Sequence, residues 1–103
     1  MQIDYSKTAN GTPILYLSGR LDFSRRQEFL EVLDRFLGDV SALVEICVDC
    51  GQLTYLDSSG LGLLLVLRDR ARNLGCAVAL VDCREGVRDI LNTVQFGRLF
   101  RMG

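Results

Sequence analysis

The sequence predicts one α/β domain with a mixed β-sheet and amphipathic helices, in the order β-β-α-β-α-β-α-β. Three observations lead to this fold class: an opening pair of strand-like segments, two continuous apolar runs farther along, and helix-period apolar repeats between them. With 103 residues and 49% hydrophobic residues, the chain can build one core and is too short for two. We therefore expect a single domain over residues 1–103.

The opening segments predict an antiparallel hairpin. Residues 2–8 and 14–18 have the pattern of two strands, and Asn10-Gly11 between them supplies the positive φ values of a tight turn. The first two strands should therefore pair side by side.

A turn over residues 19–24 should lead into the first helix. Ser24 and Gln27 have the form of a capping box, and Gly38 is a typical stop. Asp22 in the turn favours a local capping role. The helix should be amphipathic and should pack on the sheet.

The second half alternates strands and helices. The mostly apolar segment 43–50 predicts a central parallel strand buried on both faces, and residues 76–81 predict another buried strand. One helix is expected over 58–74. Another is expected to carry the apolar positions from Val87 to Val94 and to stop near Gly97, which leaves 99–100 for a short last strand. The turns that contain Asp22, Asp57 and Asp82 each follow a strand, so all three should lie at one end of the sheet.

The second helix has two apolar sides. Asp57, Ser58 and Ser59 are all good N-cap residues, and Ser58 is the expected cap. Leu61, Leu65 and Arg68 fall opposite the predicted core stripe, which indicates a docking surface with a modifiable group at its edge. The core stripe itself comprises Gly60, Leu63, Leu64, Leu67, Ala71 and Leu74.

The composition argues against catalysis by this chain. It has no histidine, so neither a Ser-His-Asp nor a Cys-His arrangement can form, and Lys7 is the single lysine. We therefore expect no enzyme activity, no catalytic residue and no cofactor. A net charge of −1 with dispersed arginines also argues against direct nucleic-acid binding.

The four cysteines are expected to be reduced thiols rather than a metal site. Cys47 and Cys50 have a zinc-like spacing, but six residues separate Cys76 from Cys83, and Cys47 lies in a strand pattern. Small hydrophobic thiols are the favoured interpretation.

The sequence favours a cytoplasmic protein without membrane insertion. Residues 1–5 have neither the basic start nor the apolar core of a signal peptide, and no apolar stretch approaches the ~20 residues that span a bilayer. A monomer or weak dimer is expected.

These residues resemble a known family. Gly19-Arg20-Leu21-Asp22, Val48-Asp49 and above all Leu56-Asp57-Ser58-Ser59-Gly60-Leu61-Gly62 are similar to the STAS domain of bacterial anti-sigma factor antagonists. The similarity runs over essentially the whole chain. Arg20 is a departure, because many relatives carry Glu there.

The resemblance implies a function. In that family the second serine of the block, which matches Ser59, is phosphorylated by the anti-sigma factor, itself a serine kinase. The unmodified antagonist binds that kinase and frees the sigma factor, and a protein phosphatase resets the modified form. Asp22, Asp57, Ser58 and Gly60 would surround the phosphorylation site.

Two other functions remain open. A STAS-type regulatory subunit of a transporter or sensory assembly, with or without a bound nucleotide, would share these residues. A small enzyme is disfavoured by the absence of histidine.

Overall fold

A computed structural model describes residues 2–41 and 44–103. The element order agrees with the predicted order, and the α/β fold class is confirmed. The strands and helices are β1 (Gln2–Lys7), β2 (Pro13–Leu21), α1 (Arg26–Gly38), β3 (Glu45–Leu56), α2 (Ser58–Asn73), β4 (Ala77–Val81), α3 (Glu85–Thr93) and β5 (Arg101–Met102). Short 3₁₀ turns at Phe23–Arg25 and Phe96–Arg98 precede α1 and β5.

The five strands form one mixed sheet in the order β1-β2-β3-β4-β5. β1 pairs antiparallel with β2, as predicted, and the other neighbouring pairs are parallel. The hairpin connection is wider than the predicted tight turn. It runs from Thr8 to Thr12, with Gly11 at a φ of 86°.

β3 shows that the sheet has one covered face and one open face. Ile46, Val48 and Cys50 are fully buried in the core, whereas Glu45 is exposed and Cys47 is only half-buried. The prediction that segment 43–50 is buried on both faces is therefore wrong for the described residues, and residue 43 lies outside them. Cysteine counts as apolar in the sequence pattern, and this made an alternating strand resemble a continuous apolar one.

β2 and β3 extend farther than predicted. The sequence favours a turn over 19–24 and a loop after Cys50, but the strands continue to Leu21 and Leu56, which pair with each other. Gly19, with a φ of 82°, lies at register shifts that let β2 continue through a bulge. Because the ends of β2 and β3 pair, the 3₁₀ turn that follows β2 and the helix α2 that follows β3 begin close to each other.

The three predicted turns do not all lie together at one end of the sheet. β4 ends at Val81, opposite Asp49, while β3 continues to Leu56. The turn at Asp82 therefore lies beside Gly51, where a Cβ built on that glycine would be 3.6 Å from the Asp82 Cβ. Only the turns that contain Asp22 and Asp57 lie together.

The last strand is displaced by two residues from its predicted place. It is formed by Arg101–Met102, which pair with β4, whereas Leu99 and Phe100 belong to the preceding turn. Phe100 is buried and stacks on Phe96, so its apolar side chain serves the core. Among the described residues, no helix has the length and hydropathy needed to cross a membrane.

Candidate functional site

Asp57 caps the N-terminus of α2. Its carboxylate oxygen Oδ1 accepts a hydrogen bond from the Gly60 amide at 2.8 Å, and its backbone is extended. A carboxylate at this position satisfies a free N–H and complements the positive end of the helix dipole. The expectation that Ser58 is the cap is therefore wrong, and Ser58 is an exposed first helical residue.

Gly60 lets α2 begin directly against the end of β2. A Cβ at this position would overlap the Leu21 carbonyl oxygen and would lie 3.1 Å from Cδ2 of Leu56. Only a residue without a side chain permits this approach. Gly60 is buried together with Leu63, Leu64, Leu67 and Ala71, which confirms the core stripe predicted for α2; Leu74, its last predicted member, is half-buried.

Asp22 caps the 3₁₀ turn that precedes α1. It accepts hydrogen bonds from the Ser24 hydroxyl at 2.6 Å and from the Ser24 amide at 3.1 Å. The hydrogen bond from the Ser24 hydroxyl holds the pKa of Asp22 below its ordinary value. Arg20, whose Nε lies 3.8 Å from Oδ2 of Asp22, acts in the same direction. The Asp22 carboxylate is thus charged and already engaged locally.

The predicted capping box is not formed. Ser24 bonds to Asp22, and the Gln27 side chain donates to Glu31 at 3.2 Å. α1 begins at Arg26, without a side-chain cap from Arg25.

Ser59 borders a groove between the start of α1 and the first turns of α2, which we call the Ser59 groove. The groove has a volume of about 310 Å³, and Ser59 itself is half-buried. Its lining residues are Phe23, Arg26, Ser59, Gly62, Leu63 and Val66. Phe23 is 70% exposed, the highest exposure among the large hydrophobic side chains described.

Sequence reasoning missed the contribution of Phe23 and Arg26 to this groove. They are more than thirty residues away from Ser59 along the chain, so only the packing of α1 on α2 places them there. One signal was available, because Phe23 is a large apolar residue between the polar residues Asp22 and Ser24.

Leu61, Leu65 and Arg68 lie on the other flank of α2. The two leucines are half-buried and pack against the core. Arg68 has a side chain only 21% exposed, and its Nε donates to the Leu99 carbonyl at 2.9 Å. The structure therefore separates these three residues from the Ser59 groove, although one helix carries both.

Arg20 covers the edge of the site. Its guanidinium lies 4.0 Å from the centre of the Tyr55 ring, in a cation–π contact, and it also approaches Asp22. Arg20, near the end of β2, thus contacts both Tyr55 of the paired strand β3 and the Asp22 carboxylate that follows β2.

All four cysteines are free thiols. Hydrogen bonding to Cys83 and burial raise the pKa of the Cys50 thiol, and burial raises the pKa of Cys47. A raised pKa disfavours the reactive thiolate at Cys50 and Cys47, whereas hydrogen bonding to Cys50 lowers the pKa of the Cys83 thiol. Across residues 2–41 and 44–103, no three Cys, Asp or Glu side chains are grouped closely enough to hold a metal ion.

The comparisons with known proteins agree with this fold. The STAS domain family model matches residues 6–103. A STAS-domain containing protein of Pseudomonas aeruginosa strain UCBPP-PA14 is 36% identical over 103 residues, which covers 99% of each chain.

Solved structures extend the likeness to an anti-sigma factor antagonist. Unphosphorylated SpoIIAA superposes with a TM-score of 0.75 at 19% identity, over 99% of this chain and 88% of that chain. SpoIIAA of Bacillus in its phosphorylated form gives a TM-score of 0.64 at 20% identity, over 99% and 91% of the two chains. At such identities the likeness concerns the fold. The chain belongs to the STAS domain family, and its fold is that of SpoIIAA.

Proposed function

We propose that this protein is an anti-sigma factor antagonist whose binding is switched off by phosphorylation of Ser59. The partner is an anti-sigma factor that is also a serine kinase, and a protein phosphatase restores the unmodified form in the cytoplasm. The protein itself carries out no chemistry. The position of Ser59, at a helix start and at the edge of a groove that bears an exposed phenylalanine, is the observation that carries this proposal.

The fold can accept a phosphate at Ser59. The residue is second in α2, where free backbone N–H groups and the helix dipole favour negative charge. A phosphoserine carries about −1.5 to −2 charges at neutral pH. The modified domain should therefore stay folded, and the switch should act on binding.

The same charge opposes docking at the Ser59 groove. A partner that covers Phe23 and Val66 would have to desolvate the phosphate beside them. The carboxylates of Asp22 and Asp57 stand nearby, and they would add repulsion against an acidic partner surface. Phosphorylation is thus expected to weaken the complex without a change of fold.

The docking surface includes both flanks of α2. The Ser59 groove supplies Phe23 and Val66 on one flank, and Leu61, Leu65 and Arg68 supply the other. The half-buried leucines present apolar area at little entropic cost, because the core already holds them.

The test is phosphorylation by the anti-sigma factor kinases of the source organism with ATP, followed by intact mass and phosphopeptide mapping. We expect one phosphoryl group, located on Ser59, and none on the Ser59→Ala variant. Ser58→Ala is the matched control, and it should accept phosphate like the unmodified sequence. Modification of Ser58 alone, or of no residue by any such kinase, would contradict the proposal.

A further inference from the structure

We propose that phosphorylated Ser59 forms an ion pair with Arg26 within the same chain, so that the modification closes the Ser59 groove. This inference rests on the proposed function, because it describes what the phosphate does once it is attached. It assigns a phosphate-binding role to a residue of α1.

Arg26 is placed and available for this role. It is the first residue of α1, it is exposed, and it lines the Ser59 groove together with Ser59. Within the described ranges, its guanidinium takes part in no ion pair or side-chain hydrogen bond. The neighbouring Arg25 differs, because its Nη1 lies 3.8 Å from Glu28.

Arg26 supplies the positive charge among the residues that line the groove, and the two carboxylates nearby are already engaged. Asp57 is occupied by the Gly60 amide, and Asp22 is occupied by Ser24 and approached by Arg20. Both carboxylates would repel a phosphate, whereas the guanidinium of Arg26 can bind it with two parallel hydrogen bonds.

An ion pair across the groove has a consequence for docking. Ser59 is on α2 and Arg26 is on α1, so the paired groups would bridge the two helices beside Phe23 and Val66. A partner would then meet a closed, charged surface in place of an apolar groove. The switch thus combines a covered groove with the added charge.

The experiment uses the 103-residue chain with phosphoserine incorporated at position 59 during translation. The second ionisation of the phosphate is followed by ³¹P NMR as pH is varied, in the native background and in the Arg26→Gln and Arg25→Gln variants. The helix dipole acts equally in all three proteins, so differences report the side chains. Circular dichroism confirms that each variant is folded.

We expect Arg26→Gln to raise the phosphate pKa by about half a unit or more relative to the native background. Arg25→Gln should leave the pKa in place, and Arg26→Lys should retain most of the native value because it keeps the charge. The difference should shrink in 1 M salt, since the Debye length falls to about 3 Å there.

Equal phosphate pKa values in the native, Arg26→Gln and Arg25→Gln proteins would overturn the inference. Equal increases in the two Gln variants would also overturn it, since the effect would then be general electrostatics. Because translation installs the phosphoserine, the result does not depend on a kinase. Failure of any kinase to modify Ser59 would count against the proposed function alone.

Discussion

Gly60 on α2 lies against the main-chain carbonyl of Leu21, the last residue of β2. This contact fixes the start of α2 at the end of the paired strands β2 and β3, and it places Ser59 at the edge of its groove. The close approach of two backbone segments therefore explains why a glycine stands at this position of the Asp-Ser-Ser-Gly block, and this explanation is independent of phosphorylation.

Gly60→Ala should destabilise the domain. The new Cβ would overlap the Leu21 carbonyl oxygen, and backbone cannot move aside as a flexible side chain can. Overpacking of this kind typically costs about 1–3 kcal/mol of the free energy of unfolding. Urea denaturation measures the change, and an unaltered midpoint would show that α2 can shift without cost.

Gly62→Ala is the matched contrast and should stabilise the helix. A Cβ there meets no atom within 4 Å, so the substitution relieves the roughly 0.5–1 kcal/mol penalty of glycine in a helix. The added methyl group would nevertheless stand in the Ser59 groove. We expect higher stability together with weaker binding to the anti-sigma factor, measured by calorimetry; unchanged binding would remove the groove from the docking surface.

Asp57→Ala should remove the cap of α2 and lower the free energy of unfolding by about 0.5–2 kcal/mol. Asp57→Asn keeps an oxygen acceptor for the Gly60 amide and should retain most of the stability. Ser58→Ala should change stability by less than about 0.5 kcal/mol, because Ser58 is exposed and does not cap the helix. A larger loss for Ser58→Ala than for Asp57→Ala in thermal unfolding would reverse this assignment.

Leu65→Ala tests the second flank of the docking surface. Leu65 is half-buried, so its truncation should cost less than the roughly 2–5 kcal/mol typical of a fully buried leucine. Binding to the anti-sigma factor should weaken at the same time. Leu64→Ala, at a fully buried position next to it, supplies the control with a large loss of stability. A loss as large for Leu65 would assign it to the core.

The sequence was enough to predict the element order and the buried stripe of α2, because both depend on local periodicity. The cap was not predictable in the same way. Asp57, Ser58 and Ser59 can all cap a helix. In the structure Asp57 accepts from the amide of Gly60, and Gly60 is the residue that packs against Leu21. That packing is a contact between distant parts of the chain, so the local sequence pattern around Asp57 does not predict it.

The Ser59 groove could not be predicted from local sequence patterns either. The packing of α1 on α2 brings Phe23 and Arg26 to Ser59, and it follows an extension of β2 through a bulge to Leu21, a residue that the turn pattern assigns to a loop. Strand extension through such a bulge depends on pairing with β3 rather than on the propensity of Gly19 and Arg20.

The most direct test of the Ser59 switch is the affinity for the anti-sigma factor, measured by calorimetry on unmodified and phosphorylated protein. We predict that phosphorylated protein and Ser59→Asp stay folded and bind at least about tenfold more weakly, a loss of about 1.4 kcal/mol. Ser59→Ala should bind like the unmodified protein. Equal affinity of the phosphorylated and unmodified proteins would contradict the account.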